Sequence, residues 1–230
     1  MKVDAVKLNN EYTEPMMITW DTGKKCNYDC TYCEASRHDN YSKFHSLDEY
    51  LETFNFIKQY VEIYESHKQN KANEVNINFT GGEPTLNPNF WHLASKIKQD
   101  DAKFRLSLTT NGAWSKKYTS KIQKHFSGVT VSYHAESNES LKKLVIDNIL
   151  SINQTDLWLQ VNVMLHADYF DECVEVYEHL KQNGVKVNPR PIGDGNVSRK
   201  GWFVDDDGVL GKQLTNTPKN KLIGFFEKQD

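Results

Sequence analysis

Six short β-prone segments alternate with helix-periodic segments along most of the 230-residue chain, and this alternation restricts the fold more than any other feature. Met16-Met17-Ile18-Thr19-Trp20 reads as a first strand. Val75-Asn76-Ile77-Asn78-Phe79 alternates apolar and polar residues with period two and reads as a second. Further strands are expected over 104–108, 129–133 and 157–165, and a sixth over 185–187 leads into Pro189-Arg190-Pro191. Ser46 opens a long helix with Glu49 three residues on, the pattern of a capping box. Leu47, Leu51, Phe54, Val61 and Tyr64 recur at helical spacing and give that helix one buried stripe. Other helices are expected over 90–98, 116–125, 141–152 and 170–182, the last stopped by Asn183-Gly184. Strands and helices in strict rotation call for a parallel sheet with right-handed crossovers. Six units fall short of the eight that close a full barrel. The expected architecture is therefore α/β, a partial (β/α)6 open barrel over residues 1–195 with strand one from about 16. Residues 196–230 read as a tail, either a packed helix or a lid that brings Trp202 and Phe203 over the barrel mouth.

Charge and hydropathy narrow the function classes. A formal net charge of -3 builds no broad positive field, so non-specific nucleic-acid binding is not expected. No apolar run reaches the roughly 20 residues of a membrane span. Residues 1–14 are polar and lack the apolar centre of a secretory signal. The expected location is the cytoplasm, with no membrane partner.

The cysteines are distributed unevenly. Cys26, Cys30 and Cys33 crowd into one loop, Cys26-Asn27-Tyr28-Asp29-Cys30-Thr31-Tyr32-Cys33, while Cys173 stands alone. A disulfide framework would spread its thiols along the chain; a cluster of thiols in a protein without a secretory signal points to metal or redox chemistry. Spacings of four and three residues let one loop wrap three thiolates around one small inorganic body. Iron–sulfur clusters are held in this way. A four-iron cubane with three protein thiolates keeps one iron free of protein, as open catalytic metal sites keep a free position. Zinc is the competing reading, with His38 or His45 as the fourth ligand. A redox Cys-x-x-Cys at Cys30 and Cys33 would leave Cys26 without a role. Cys173 shares a helical face with Phe170, Tyr177 and Leu180 and reads as a buried free thiol.

Three cysteines in the pattern Cys-x-x-x-Cys-x-aromatic-Cys, directly after a first strand, resemble the radical S-adenosylmethionine superfamily. Further segments carry the same resemblance. Gly81-Gly82-Glu83-Pro84 ends strand two like the family's Gly-Gly-Glu motif, and Thr110-Asn111-Gly112 ends strand three like its Thr-Asn-Gly. Val131-Ser132 ends strand four like the Val-Ser of the branch containing the molybdenum-cofactor cyclase and the peptide-modifying enzymes. The resemblance covers roughly 18–191. It implies a [4Fe-4S] cluster on Cys26, Cys30 and Cys33, and S-adenosylmethionine chelated through its amino and carboxylate groups by the open iron. It implies reductive cleavage to methionine and a 5′-deoxyadenosyl radical, which takes hydrogen from a substrate. It also implies a flavodoxin- or ferredoxin-like reductant. By the same resemblance Tyr32 lies near the adenine, Gly81 and Gly82 let bare backbone approach the methionine end, and Glu83 accepts from the ammonium. Ser132 contacts the ribose or carboxylate, and Asn111 belongs to the cofactor wall.

The sequence also departs from that branch. Its members usually follow Val-Ser-x with Asp-Gly and place an arginine in the next helix. Here Tyr133 is followed by His134-Ala135-Glu136, and the helix offers Lys142 and Lys143. The tail contains no cysteine and so no thiolate set for a second cluster. Thr110, His134, Glu136, Asn162, His166 and Arg190 fall at or near predicted strand ends and are the candidate substrate-pocket residues. Histidine moves protons near neutral pH, and arginine clamps carboxylate or phosphate. Polar capping of the barrel rim is the alternative for each of the last five, and a plain turn at Thr110-Asn111-Gly112 is the alternative for Thr110. The substrate, a small molecule or a peptide, is not named by any motif. Two other functions stay open: a metal- or cluster-binding module without radical chemistry, and an activase that installs a glycyl radical in another protein.

Overall fold

The computed structural model describes residues 16–33, 38–68, 74–100 and 102–192, together with Phe225. Six strands form one sheet in the order β1 (Met16–Asp21), β2 (Val75–Thr80), β3 (Phe104–Thr110), β4 (Gly128–Tyr133), β5 (Trp158–Leu165) and β6 (Val187–Pro191). Every neighbouring pair is parallel. The connections carry α1 (Leu47–Lys68), α2 (Pro88–Asp100), α3 (Thr119–His125), α4 (Glu139–Asn153) and α5 (Phe170–Gln182). Among the described residues β1 pairs only with β2 and β6 only with β5, so the sheet is open, as the six-unit alternation requires.

Alternation along each strand sorts the two faces. Val75, Ile77 and Phe79 of β2, Phe104, Leu106 and Leu108 of β3, and Val161, Val163 and Leu165 of β5 are fully buried under the helices. Their partners in alternation, Asn76, Asn78, Ser107, Thr109, Thr130, Ser132, Gln160 and Asn162, face the other way and are half-buried. Asn162 thus lies on the hollow face with Ser132, its register partner, while Val161 and Val163 pack outward. On the convex side each buried aliphatic or aromatic side chain contributes about 1.5–3 kcal/mol. Cys173 is among these buried side chains and donates its thiol to the Met164 carbonyl at 3.2 Å.

The capping box at α1 forms as read: Ser46 Oγ accepts from the Glu49 N–H at 3.2 Å, and the Ser46 N–H donates to Glu49 Oε2 at 2.7 Å. The deepest row on α1 is Tyr50, Phe54, Ile57 and Val61, with Leu47 and Leu51 at its border. The sixth strand differs from the expectation over 185–187. It runs over Val187–Pro191, so the proline-flanked Arg190 lies within it. Prolines survive there because β6 is an edge. Pro189 and Pro191 share one parity, and that parity turns the missing N–H groups away from β5. Most of the tail read as a helix or lid, Trp202 and Phe203 included, lies outside the described residues. Phe225 sets its ring edge-on to Tyr177 and Phe170 of α5.

Candidate functional site

The carboxyl ends of the strands converge on one cavity of about 390 Å³, a volume suited to one cofactor-sized molecule. Cys26, Cys30 and Cys33 line it together with Tyr28, Tyr32 and His38 from the cysteine segment. The far wall is Thr80-Gly81-Gly82 at the end of β2, Thr109-Thr110-Asn111 at the end of β3, and Ser132 and His134 at the end of β4. Strand ends at a parallel sheet's carboxyl edge are where such barrels place their chemistry.

Backbone bonds hold the cysteine segment over this edge. The Gly82 N–H donates to the Gly23 carbonyl at 2.7 Å and the Glu83 N–H to the Lys25 carbonyl at 2.8 Å. The Cys26 N–H donates to the Asp39 carbonyl at 2.7 Å. The two glycines explain how the chains come so close. Gly81 has φ +126°, and a Cβ there would sit 2.6 Å from the Gly23 carbonyl oxygen. A Cβ on Gly82 would run into the carbonyl oxygens of Lys24 and Lys25. The bare backbone expected to face a ligand thus also lets the turn dock against the base of the cysteine loop.

Glu83 is placed otherwise than expected of an ammonium acceptor. It is buried and does not line the cavity. Its Oε1 accepts from the Thr85 N–H at 3.0 Å, from Thr85 Oγ1 at 2.6 Å and from Thr110 Oγ1 at 2.8 Å. Its Oε2 accepts from the Asn111 N–H at 2.8 Å. Burial raises its pKa, opposed by these donors. The carboxylate ties the turn after β2 to the turn after β3. Asn111 reaches back to the cysteine loop, donating Nδ2 to Asn27 Oδ1 at 2.8 Å and approaching Cys26 Sγ at 3.9 Å.

The β4 side carries the histidine cluster. His134 Nδ1 bonds the Tyr32 hydroxyl and lies 3.5 Å from Cys30 Sγ. Its ring stacks on Tyr32 and meets Tyr28 edge-on. Burial pushes His134 down to about 4, so the imidazole is neutral. Burial also pushes the Cys30 thiol up to about 12 and raises that of Cys26. Glu136 receives Thr31 of the cysteine loop, and His166 at the end of β5 lies against the same carboxylate, Nε2 to Oε1 at 3.4 Å. Asn162 and Arg190 stand on the hollow face but not on the cavity wall, and His166 does not line the cavity either. Lys142 is committed elsewhere: its Nζ pairs with Glu139 and Glu172, each at 2.9 Å.

The residues fit the group the motifs imply. His38 Nδ1 is a buried polar atom with no hydrogen-bond partner among the described residues, and its ring forms part of the cavity wall. Among the described residues no three of His, Cys, Asp and Glu converge on a point that one metal ion would occupy. Cys26, Cys30 and Cys33 all line the same cavity, and thiolates are the donors that iron–sulfur clusters take. His45 does not line the cavity. Sequence reasoning missed Tyr28, Thr80 and Thr109. The two threonines carried a signal, since each directly precedes a motif at a strand end.

Residues 20–197 match the profile of the Radical SAM superfamily. The chain belongs to the radical SAM superfamily. Its members are enzymes that use a [4Fe-4S] cluster and S-adenosylmethionine. Similar curated proteins fall on the branch the motifs resemble. The radical SAM cyclopropyl synthase TigE of Paramaledivibacter caminithermalis is 26% identical over 225 residues, covering 88% of this chain and 44% of that protein. The GTP 3′,8-cyclase of Haemophilus influenzae is 29% identical over 205 residues, covering 89% of this chain and 54% of the relative. Among solved structures, Streptococcus suis SuiB superposes with a TM-score of 0.54 at 14% identity, covering 94% of this chain and 47% of that one. That likeness shows the fold. SuiB has also been solved bound to S-adenosylmethionine and to its precursor peptide SuiA. The radical SAM chain spans about half the length of these relatives. Among the described residues no helix is long and apolar enough to cross a membrane.

Proposed function

We propose that the chain is an enzyme that reductively cleaves S-adenosylmethionine at a [4Fe-4S] cluster to give a 5′-deoxyadenosyl radical, which takes hydrogen from a small-molecule or peptide substrate. The observation that carries this reading is the meeting of three thiols and the Gly81-Gly82 turn on one cavity at the carboxyl edge of a parallel sheet. Cys26, Cys30 and Cys33 would hold the cluster and leave one iron for the sulfonium compound, whose carbon–sulfur bond the cluster's electron breaks.

The remaining residues bind, orient and enclose. Tyr32 offers its ring to the adenine, with its hydroxyl fixed by His134. Gly81, Gly82, Asn111 and Ser132 wall the cavity where the methionine and ribose groups would lie. Asn111 and the Tyr28 N–H, the latter 3.4 Å from Cys26 Sγ, direct donors at a thiolate that a cluster would keep anionic. Thr110 acts through Glu83 and braces the wall. His134 faces both the cysteine loop and the cavity, while Asn162, His166 and Arg190 mark the β5–β6 side from which a substrate would approach. A peptide-bound relative of the same fold favours a peptide among the substrate classes. A flavodoxin- or ferredoxin-like protein would serve as reductant, and the compartment would be the cytoplasm.

Anaerobic reconstitution with iron and sulfide, followed by S-adenosylmethionine and dithionite, tests the reading through the yield of 5′-deoxyadenosine. The expected result is product from the wild type and none from Cys30→Ala. Iron without product would favour a cluster-binding module. Product accompanied by a glycyl radical on a second protein would favour an activase.

A further inference from the structure

The cysteine loop springs from β1, at one edge of the sheet, and must be carried across an open mouth. On the near side it is held by the β2 and β3 turns. On the far side a second anchor is built from residues that no motif names. The Glu136 carboxylate, only 13% exposed, takes both donors of Thr31, the residue directly after Cys30. The Thr31 hydroxyl donates to Oε1 at 2.6 Å and its N–H to Oε2 at 3.1 Å. His166 Nδ1 accepts from the Asp168 N–H at 3.2 Å, which leaves the proton of a neutral ring on Nε2. That Nε2 lies 3.4 Å from Glu136 Oε1. A chain of contacts therefore runs from the cysteine loop through Glu136 to the end of β5 and the start of the segment before α5.

We infer that Glu136, oriented by His166, is a positioning residue that latches the cysteine loop across the barrel mouth and so sets where Cys30 and Cys33 present their sulfurs. The inference rests on the proposed cluster site for its consequence but not for its geometry. A carboxylate accepting two hydrogen bonds from one residue fixes that residue in both position and orientation. Thr31 lies between two of the three thiols, so its displacement moves both. The departure from that branch's Asp-Gly after Val-Ser-x supplies this contact, because Glu136 is within the divergent His134-Ala135-Glu136 segment. Glu136 is a positioning residue rather than a catalytic one: it acts through Thr31 and does not line the cavity.

The test follows amide exchange over 27–33 in the full chain before cluster assembly, and the paramagnetic spectrum of the reduced cluster after it. Glu136→Ala is expected to speed exchange at Thr31 roughly tenfold, the scale of a charged hydrogen bond at a partly exposed site. It is also expected to broaden or shift the cluster's spectrum, while exchange in β2–β5 stays at wild-type rates. Glu136→Gln, which keeps an acceptor, retains part of the protection, and His166→Gln, which leaves Glu136 in place and keeps a donor near Nε2, retains most of it. Thr31→Val removes only the hydroxyl and gives an intermediate loss even if Glu136→Ala fails to fold. Wild-type exchange and spectrum in folded Glu136→Ala would overturn the latch, as would a loss of protection spread evenly over the sheet. The exchange arm reads the loop without the cluster, so it stands apart from any failure to form 5′-deoxyadenosine.

Discussion

A methyl group at position 82 has nowhere to go. The Gly82 Cα faces the backbone carbonyls of Lys24 and Lys25, and backbone cannot swing aside as a flexible side chain can. Gly82→Ala is expected to cost about 2–3 kcal/mol in urea unfolding and to lower the iron retained after reconstitution, because the displaced atoms belong to the base of the cysteine loop. Wild-type values for both would show that the turn does not brace the loop. Glu83 gives a second test at this scale. Glu83→Ala strands four donors, from Thr85, Thr110 and Asn111, in a buried site, and about 3 kcal/mol of stability is expected to go with them. Glu83→Gln keeps an acceptor and should lose less. If Glu83 instead served only a bound ammonium, both variants would unfold like the wild type.

At the level of helices and strands, α4 and α5 are joined by a small polar network. Lys142 Nζ lies between Glu139 and Glu172, and the Tyr133 hydroxyl donates to Glu172 Oε1 at 2.8 Å. Glu172→Ala leaves the nearly buried Lys142 with one exposed partner and the Tyr133 hydroxyl with none of its carboxylate. A loss of about 1 kcal/mol is expected, kept small because Glu172 is about a third exposed. Thermal unfolding unchanged by this substitution would show the pair to be surface decoration. The strands and helices themselves were legible because period-two and period-3.6 patterns are local. The sixth strand was displaced because Pro189-Arg190-Pro191 carries no alternation, and only its place at a sheet edge makes it strand-competent. Local alternation does not by itself say which face Asn162 takes. Only the curvature of the whole sheet decides that. The clamp on Glu83 and the pairing of Thr31 with Glu136, separated by 105 positions, leave no trace in the sequence around either residue.

For the molecule as a whole, pH acts on stability through two buried histidines, His134 on the cavity wall and His125 away from it. His125 at the end of α3 is buried, and burial, followed by the charges of Lys124, Lys121 and Lys98, holds its pKa below the ordinary value. The folded chain keeps this ring neutral, whereas the unfolded chain protonates it near pH 6.5. Its contribution is therefore complete above that value and is lost as pH falls through the lowered folded pKa. Unfolding free energy should decline between pH 7.5 and 5.5, and His125→Gln should reduce that slope while leaving the share that His134 supplies; an equal slope in both proteins would remove His125 as a contributor. The cavity makes the larger claim, that three thiols hold a cluster with one iron left open. Electron paramagnetic resonance of the anaerobically reconstituted, dithionite-reduced chain, recorded before and after adding S-adenosylmethionine, tests that most directly. A reduced-cluster signal whose g values move on addition, with about four irons per chain, is the predicted result. A signal that the sulfonium compound leaves unchanged, or bound zinc in place of iron, would contradict it.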